Sequence, residues 1–452
     1  MQRERLATRL GFLLLSAGCA IGVGNVWKFP WMVGQYGGGA FVIVYIIFLI
    51  ILGLPVLTME FSMGRAAQKS PVLMYQAITP EKKAWGIHGV FCFIGNIVLM
   101  MFYTVVAGWL LYYFYSMVSG KFVGLSSDDI GNYFGSMLGN PSILVIFMII
   151  ISVLGFFVLS FSLKSGLERV TKVMMIALMV LMIIIAINSF TLSGAKEGLT
   201  FYLVPDFSKI NGDVLVAAMN QAFFTLSLGI GAMAIFGSYI NKERALLGES
   251  VNVVILDTFV AFVAGLIIFP ACFTYNVEPG AGPSLIFITL PNIFMNMRLG
   301  QFWGAVFFLF MTFAAFSTVL AVFENILACF MDLTGLKRKK ASLICCILII
   351  LLSIPCALGF NVWSNIKPLG EGTGIMDLED FIVSNCLLPL GSLIYVIYCT
   401  SKIGWGWDGF IKEANSGSGI KMPKGLHLYC RTILPLIILL IFCIGIKSIF
   451  FK

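Results

Sequence analysis

Long apolar runs alternate with short polar stretches along almost the whole chain. Eleven runs are long enough to cross a bilayer as helices, since ~30 Å of hydrocarbon takes about 20 apolar residues. They cover residues 10–32, 40–63, 86–118, 142–161, 173–190, 214–240, 253–273, 301–331, 341–360, 378–400 and 428–450. None shows the alternation of a barrel strand, and lipid admits only helices or closed barrels. The pattern therefore predicts an all-α membrane protein with eleven transmembrane helices.

Two of the runs are interrupted in the same way. The first contains Gly22-Val23-Gly24-Asn25 and the sixth contains Thr225-Leu226-Ser227-Leu228-Gly229-Ile230-Gly231. A pair of glycines costs about 2 kcal/mol of helix propensity relative to alanine and lets the backbone leave helical geometry. Backbone unwound at membrane depth survives only where it is buried in protein or lines a cavity. The breaks fall in runs one and six, so each half holds five spans and the second half enters from the opposite side. This predicts a 5+5 inverted repeat, 1–190 and 191–400, followed by a loop and an eleventh helix in 401–452. Interrupted segments in matching positions of two halves point to a transporter's binding site. Neither glycine pair carries the third glycine, or the preceding strand, of a nucleotide fingerprint.

Composition agrees with the pattern. Of 452 residues, 60% are hydrophobic and 11% charged, too few charges for the surface of a soluble enzyme or a nucleic-acid binder. The net charge of +8 becomes an orientation signal once the bases are placed. Of the 29 Lys and Arg, only Lys28, Lys121, Lys196, Lys209, Arg298, Lys367, Lys447 and Lys452 lie off the side that carries the N-terminus. By the positive-inside rule, the N-terminus is cytoplasmic and the C-terminus outside, with the run Lys337 to Lys340 as a topology anchor. The apolar run continues through Ser16-Ala17-Gly18-Cys19, so a cleaved signal peptide is not expected. The 11 cysteines show no metal-ligand spacing and read as free thiols packed as small apolar residues. No permitted glycosylation acceptor occurs, which fits a bacterial inner membrane.

Three carboxylates interrupt the spans: Glu60, Asp257 and Glu324. Each costs ~2.5–3.5 kcal/mol at the bilayer centre on insertion scales and is therefore a site candidate. Glu60 reads as a brace for the opened backbone, and Asp257 as an oxygen ligand facing the breaks. Glu324 reads equally as a site or as a carboxylate paired with a neighbouring helix terminus or hydroxyl. In span eight, Ala314, Ser317 and Thr318 share a face. Their oxygens and the freed carbonyls suit a small hard cation.

At this point the chain resembles the neurotransmitter:sodium symporters, in their bacterial amino-acid-transporting branch. The resemblance spans nearly the whole sequence. It is strongest at Arg9-Leu10-Gly11, at Gly22-Val23-Gly24-Asn25-Val26-Trp27-Lys28-Phe29-Pro30 and at Gly37-Gly38-Gly39-Ala40-Phe41. Glu60-Phe61-Ser62-Met63-Gly64-Arg65 and Gln221-Ala222-Phe223-Phe224-Thr225-Leu226-Ser227 extend it. It implies two coupling sodium ions, an amino-acid substrate and no organic cofactor, nucleic acid or catalytic residue. One sodium would be held by the Ala20 carbonyl, Asn25, Thr225, Asp257 and the substrate carboxylate. The other would be held by the carbonyls of Gly18, Ile21 and Ala314 and the hydroxyls of Ser317 and Thr318. The substrate would lie on Ala20, Gly22, Val23 and Gly24, with its carboxylate at Tyr103 and Phe224 as a lid. Leu99, Ser227, Ile230, Thr318 and Val322 would shape the side-chain pocket. Lys28 and Asp380 match the outer gate; Arg3, Ser238, Tyr239 and Asp332 match the inner gate.

Several positions depart from the family pattern. Gly22 stands where monoamine carriers have an aspartate, which argues for an intact α-amino acid. Asp257 stands where many members have asparagine, and Ala261 where chloride-dependent members have serine, so chloride independence is expected. Lys28 replaces an arginine, Leu6 a tryptophan and Ile176 a proline. The apolar pocket points to a hydrophobic or aromatic L-amino acid. A proton-coupled or sodium-independent carrier on the same fold is the main rival. A channel lacks its repeated filter, and an enzyme lacks a base beyond His88 and His427, both near helix ends.

Overall fold

A computed structural model describes residues 4–275 and 284–450. Among these residues, nine helices are long and apolar enough to cross a membrane: Gly39–Ala67, Lys83–Val118, Pro141–Ser160, Lys164–Ser189, Leu246–Thr274, Gly300–Thr334, Arg338–Leu358, Ile375–Thr400 and Lys424–Lys447. A tenth span is the pair Arg9–Ala20 and Gly24–Gln35, bent by 54° at its break. The remaining apolar run is split into Gly212–Thr225 and Ala232–Gly237, each piece too short to cross alone. Numbered along the chain, the bent pair is span one and the split run is span six, as the glycine pairs predicted.

Span seven begins at Leu246, seven residues before its apolar run, and the largest departure is at span five. That helix begins at Lys164, nine residues before the apolar run, because its charged first turns are held by the N-terminal segment. The Glu168 carboxylate accepts from Ala7 N at 2.7 Å and Thr8 Oγ1 at 2.8 Å. Arg9 Nε donates to Glu249 at 3.0 Å. All eleven cysteines are free thiols, as expected.

Span two carries the second half of span six by close backbone packing. A Cβ on Gly64 would overlap the Ala234 carbonyl, and one on Gly237 would overlap the Phe61 carbonyl. The break of span six lies against span ten in the same manner: a Cβ on Gly229 would overlap the Leu388 carbonyl, and one on Gly391 the Gly229 carbonyl. Small residues at such crossings let helix backbones approach closely. Within that break, Ser227, Gly229 and Gly231 have φ of 50°, 95° and 72°. Only glycine adopts this region without steric cost, so Ser227 is held there by its surroundings.

Candidate functional site

The two breaks face each other in the middle of the bundle. Their opened backbone is braced by buried polar side chains from other spans, which meets the demand that no amide stay unsatisfied in lipid. Glu60 of span two accepts from Gly229 N at 2.5 Å. Gln221 Nε2 donates to the Gly24 carbonyl at 3.0 Å, linking the two broken spans. Asn96 of span three donates to the Ile230 carbonyl at 2.7 Å, and Asn325 of span eight reaches the same oxygen at 3.5 Å. Neither asparagine was singled out from sequence, although an amide inside an apolar run is a readable signal.

Two oxygen clusters flank the first break. In one, Thr318 Oγ1 donates to the carbonyls of Gly18 and Ile21 at 3.2 Å each. Ser317 Oγ donates to Ile21 at 3.3 Å and to Ala314 at 2.9 Å. All five oxygens expected together are thus brought together. In the other, Asn25 Nδ2 donates to Asp257 Oδ1 at 2.7 Å and Thr225 Oγ1 to the same oxygen at 3.1 Å. Gly22 N donates to Asn25 Oδ1 at 3.1 Å. Tyr45, a residue the sequence did not indicate, reaches Asp257 Oδ2 at 3.4 Å. Ala261 is buried one turn after Asp257.

Between the clusters lies a small cavity of about 20 Å³. Ala20, Gly22, Gly24, Leu99, Tyr103, Phe224, Thr225, Ser227, Ile230 and Thr318 line it. Tyr103 OH accepts from Val23 N at 3.0 Å. Cys19, Val383 and Leu388 also line it; the last two are apolar residues in an apolar span and leave no sequence signal. Val322 is fully buried and lies outside this lining, one turn beyond Thr318. Val23 instead lines an outer cavity with Trp27, Lys28, Phe102 and Asp380. Phe224, Tyr103 and Gly24 border both cavities, so they form the partition between them.

Lys28 and Asp380 both reach the outer cavity, but among the described residues no ion pair joins them. Lys28 Nζ sits 3.8 Å over the Phe224 ring, a cation–π position. Asp380 accepts from Ser384 at 2.6 Å. At the opposite end, Arg3 lies outside the described residues. Tyr239 OH donates to Glu324 at 2.5 Å, and Ser238 Oγ to Ile235 at 2.6 Å. Asp332 accepts from Ser70 N at 2.8 Å. Glu324 also pairs with Arg338, whose Nε donates to the carbonyls of Leu159 and Phe161 at 2.7 and 2.8 Å. Arg338 is therefore a half-buried partner of the buried Glu324. The histidines offer no open base: His88 is buried with Nδ1 2.6 Å from Tyr75 OH, and His427 stacks on Trp407.

The chain is similar to known proteins along nearly its whole length. The model of the sodium:neurotransmitter symporter family matches residues 3–128 and 130–450. The uncharacterized sodium-dependent transporter YhdH of Bacillus subtilis is 35% identical over 446 residues, 98% of each chain. An uncharacterized sodium-dependent transporter of Haemophilus influenzae is 33% identical over 451 residues, again 98% of each chain. Among solved structures, MhsT in complex with L-phenylalanine superposes with a TM-score of 0.89 at 37% identity, covering 98% of this chain and 100% of that one.

Proposed function

The chain belongs to the sodium:neurotransmitter symporter family and is a sodium-dependent multi-pass transporter; from that premise we propose that it imports a hydrophobic or aromatic L-amino acid by sodium symport. The observation that carries this reading is the central cavity. Its walls at Leu99, Ile230, Val383 and Leu388 are apolar, while the Tyr103 hydroxyl, which accepts from the Val23 amide behind it, supplies a polar end. An amino acid has that same division, with a polar end and an apolar side chain. That MhsT was solved with L-phenylalanine supports the aromatic class.

Sodium enters through the two oxygen clusters. Ala20, Asn25, Thr225 and Asp257 would hold one ion next to the substrate carboxylate, which completes its shell. Gly18, Ile21, Ala314, Ser317 and Thr318 would hold a second and clamp span one to span eight. Because the carboxylate is a ligand of the first ion, each raises the other's affinity by reciprocal linkage. Asp257 supplies a fixed negative charge beside that ion, so transport needs no chloride. Gly22, Ser227 and Thr318 contact the substrate, and Glu60 braces the breaks. Val322 supports the pocket from behind. Lys28 and Asp380 close the outer side; Arg3, Ser238, Tyr239 and Asp332 close the inner side. The halves 1–190 and 191–400 act as the inverted repeat, with 401–452 outside it. The N-terminus is cytoplasmic in a bacterial inner membrane.

Uptake of labelled phenylalanine, tyrosine, tryptophan and leucine into proteoliposomes tests the reading. Accumulation should follow an inward sodium gradient, survive replacement of chloride by gluconate, and fail in potassium. Uptake driven by a proton gradient alone would favour the proton-coupled rival instead.

A further inference from the structure

A second apolar cavity lies on the seam between spans three and ten. Span three presents His88, Phe91 and Cys92 to it, and span ten presents Leu387, Leu390 and Ile394. Each set is spaced three and four residues apart and so forms one helical face. The floor is the break of span six at Gly229 and Ile230, and the cavity holds about 150 Å³. The groove opens sideways: Phe91 is 52% exposed at its rim, and Ile87, Val90 and Ile94 are exposed on the same stretch. In a membrane-spanning chain, apolar side chains exposed on the flank meet acyl chains.

One end of this seam is basic. Lys82 Nζ donates to the carbonyls of Lys402 and Gly404 at 3.0 and 2.7 Å, and Trp85 Nε1 donates to Ile403 at 3.0 Å. The ends of the two spans therefore meet there, with Lys83 and Lys402 exposed. Glu81 is the acid in this stretch against three lysines. From Lys83 to Phe91 the helix rises about 12 Å, so a headgroup at the lysines places its acyl carbons in the groove. Basic sites between spans on the cytoplasmic side suit anionic headgroups.

We propose that this groove is a lipid site: an anionic phospholipid sets its headgroup against Lys83 and Lys402 and lays one acyl chain between Phe91 and Leu390, against the opened backbone at Gly229 and Ile230. Ile230 walls both this groove and the central cavity. An acyl chain here therefore backs the substrate pocket, and occupancy raises amino-acid affinity. The inner-leaflet assignment rests on the proposed orientation, and the coupling rests on the proposed amino-acid site; the lipid site itself depends on neither.

The test uses the full chain in nanodiscs and phosphatidylglycerol with a diazirine in its acyl chain, against the same probe on phosphatidylcholine. After irradiation, adducts are mapped by peptide mass spectrometry. They should concentrate in 87–94 and 387–394, at least threefold above the phosphatidylcholine probe. Leu390→Trp should lower them at least fivefold while adducts on the exposed face 146–157 of span four persist, which also reports that the variant is folded. The surface double variant Lys83→Gln/Lys402→Gln should remove the preference for phosphatidylglycerol. Adducts spread evenly over all exposed faces, or unchanged by Leu390→Trp, would overturn the site. Equal phenylalanine affinity in the two lipids would overturn the coupling without touching the mapping.

Discussion

Gly22 shows how much one side chain decides. A Cβ there would overlap the hydroxyls of Tyr103 and Thr318, so on the proposed function the position would admit a substrate carboxylate only while it has no side chain. Gly22→Ala should cut amino-acid uptake at least tenfold, and Gly22→Asp should abolish it, both read in proteoliposomes with protein folding checked by size exclusion. Asp257 carries the other residue-scale prediction. Asp257→Asn keeps the hydrogen-bonding geometry toward Asn25 and Thr225 but removes the charge. Half-saturating sodium should rise at least tenfold, with partial recovery when chloride is added. Recovery that is indifferent to chloride would sink the charge argument. These residues were legible in sequence because each is a polar or glycine outlier in an apolar run. Val383 and Leu388 were not, since an apolar residue in an apolar span says nothing about which way it faces. The Lys28 partner was hidden for another reason: sequence shows the sign of a charge but not the rotamer that sends it to the Phe224 ring.

Among elements, the pairing of span eight with span nine was concealed by composition. Arg338 sits in a run of four bases, and nothing in that run distinguishes the one that turns inward to Glu324. Removing one member leaves a buried charge without its partner, which typically costs about 3–5 kcal/mol. Glu324→Gln or Arg338→Gln should therefore lower the thermal unfolding midpoint in detergent clearly. The double variant should recover part of that loss, as a double-mutant cycle would register. Additive losses would show that the two act separately. The start of span five was misplaced for a related reason. Its first turns are charged, and the apolar pattern cannot see a helix extended by tertiary partners such as Thr8 and Ala7.

For the whole molecule, the order of spans and the two breaks could be read from periodicity and glycine placement, and the structure agrees with both. The proposed orientation in the membrane rests on the distribution of bases alone. Alkaline phosphatase fused after Lys452 should be active in a bacterial host, and a fluorescent protein fused there should stay dark. The reverse result would invert the orientation and move the lipid site to the other leaflet. One further consequence comes from the glycine contacts of span two. Gly64 and Gly237 leave no clearance between the backbones of span two and the second half of span six, and Glu60 fastens the break above them. These pieces form a single lever: neither can turn without the other. Spin labels placed across that contact would keep one separation through the transport cycle, a fixed ruler against which the displacement of every other span can be measured.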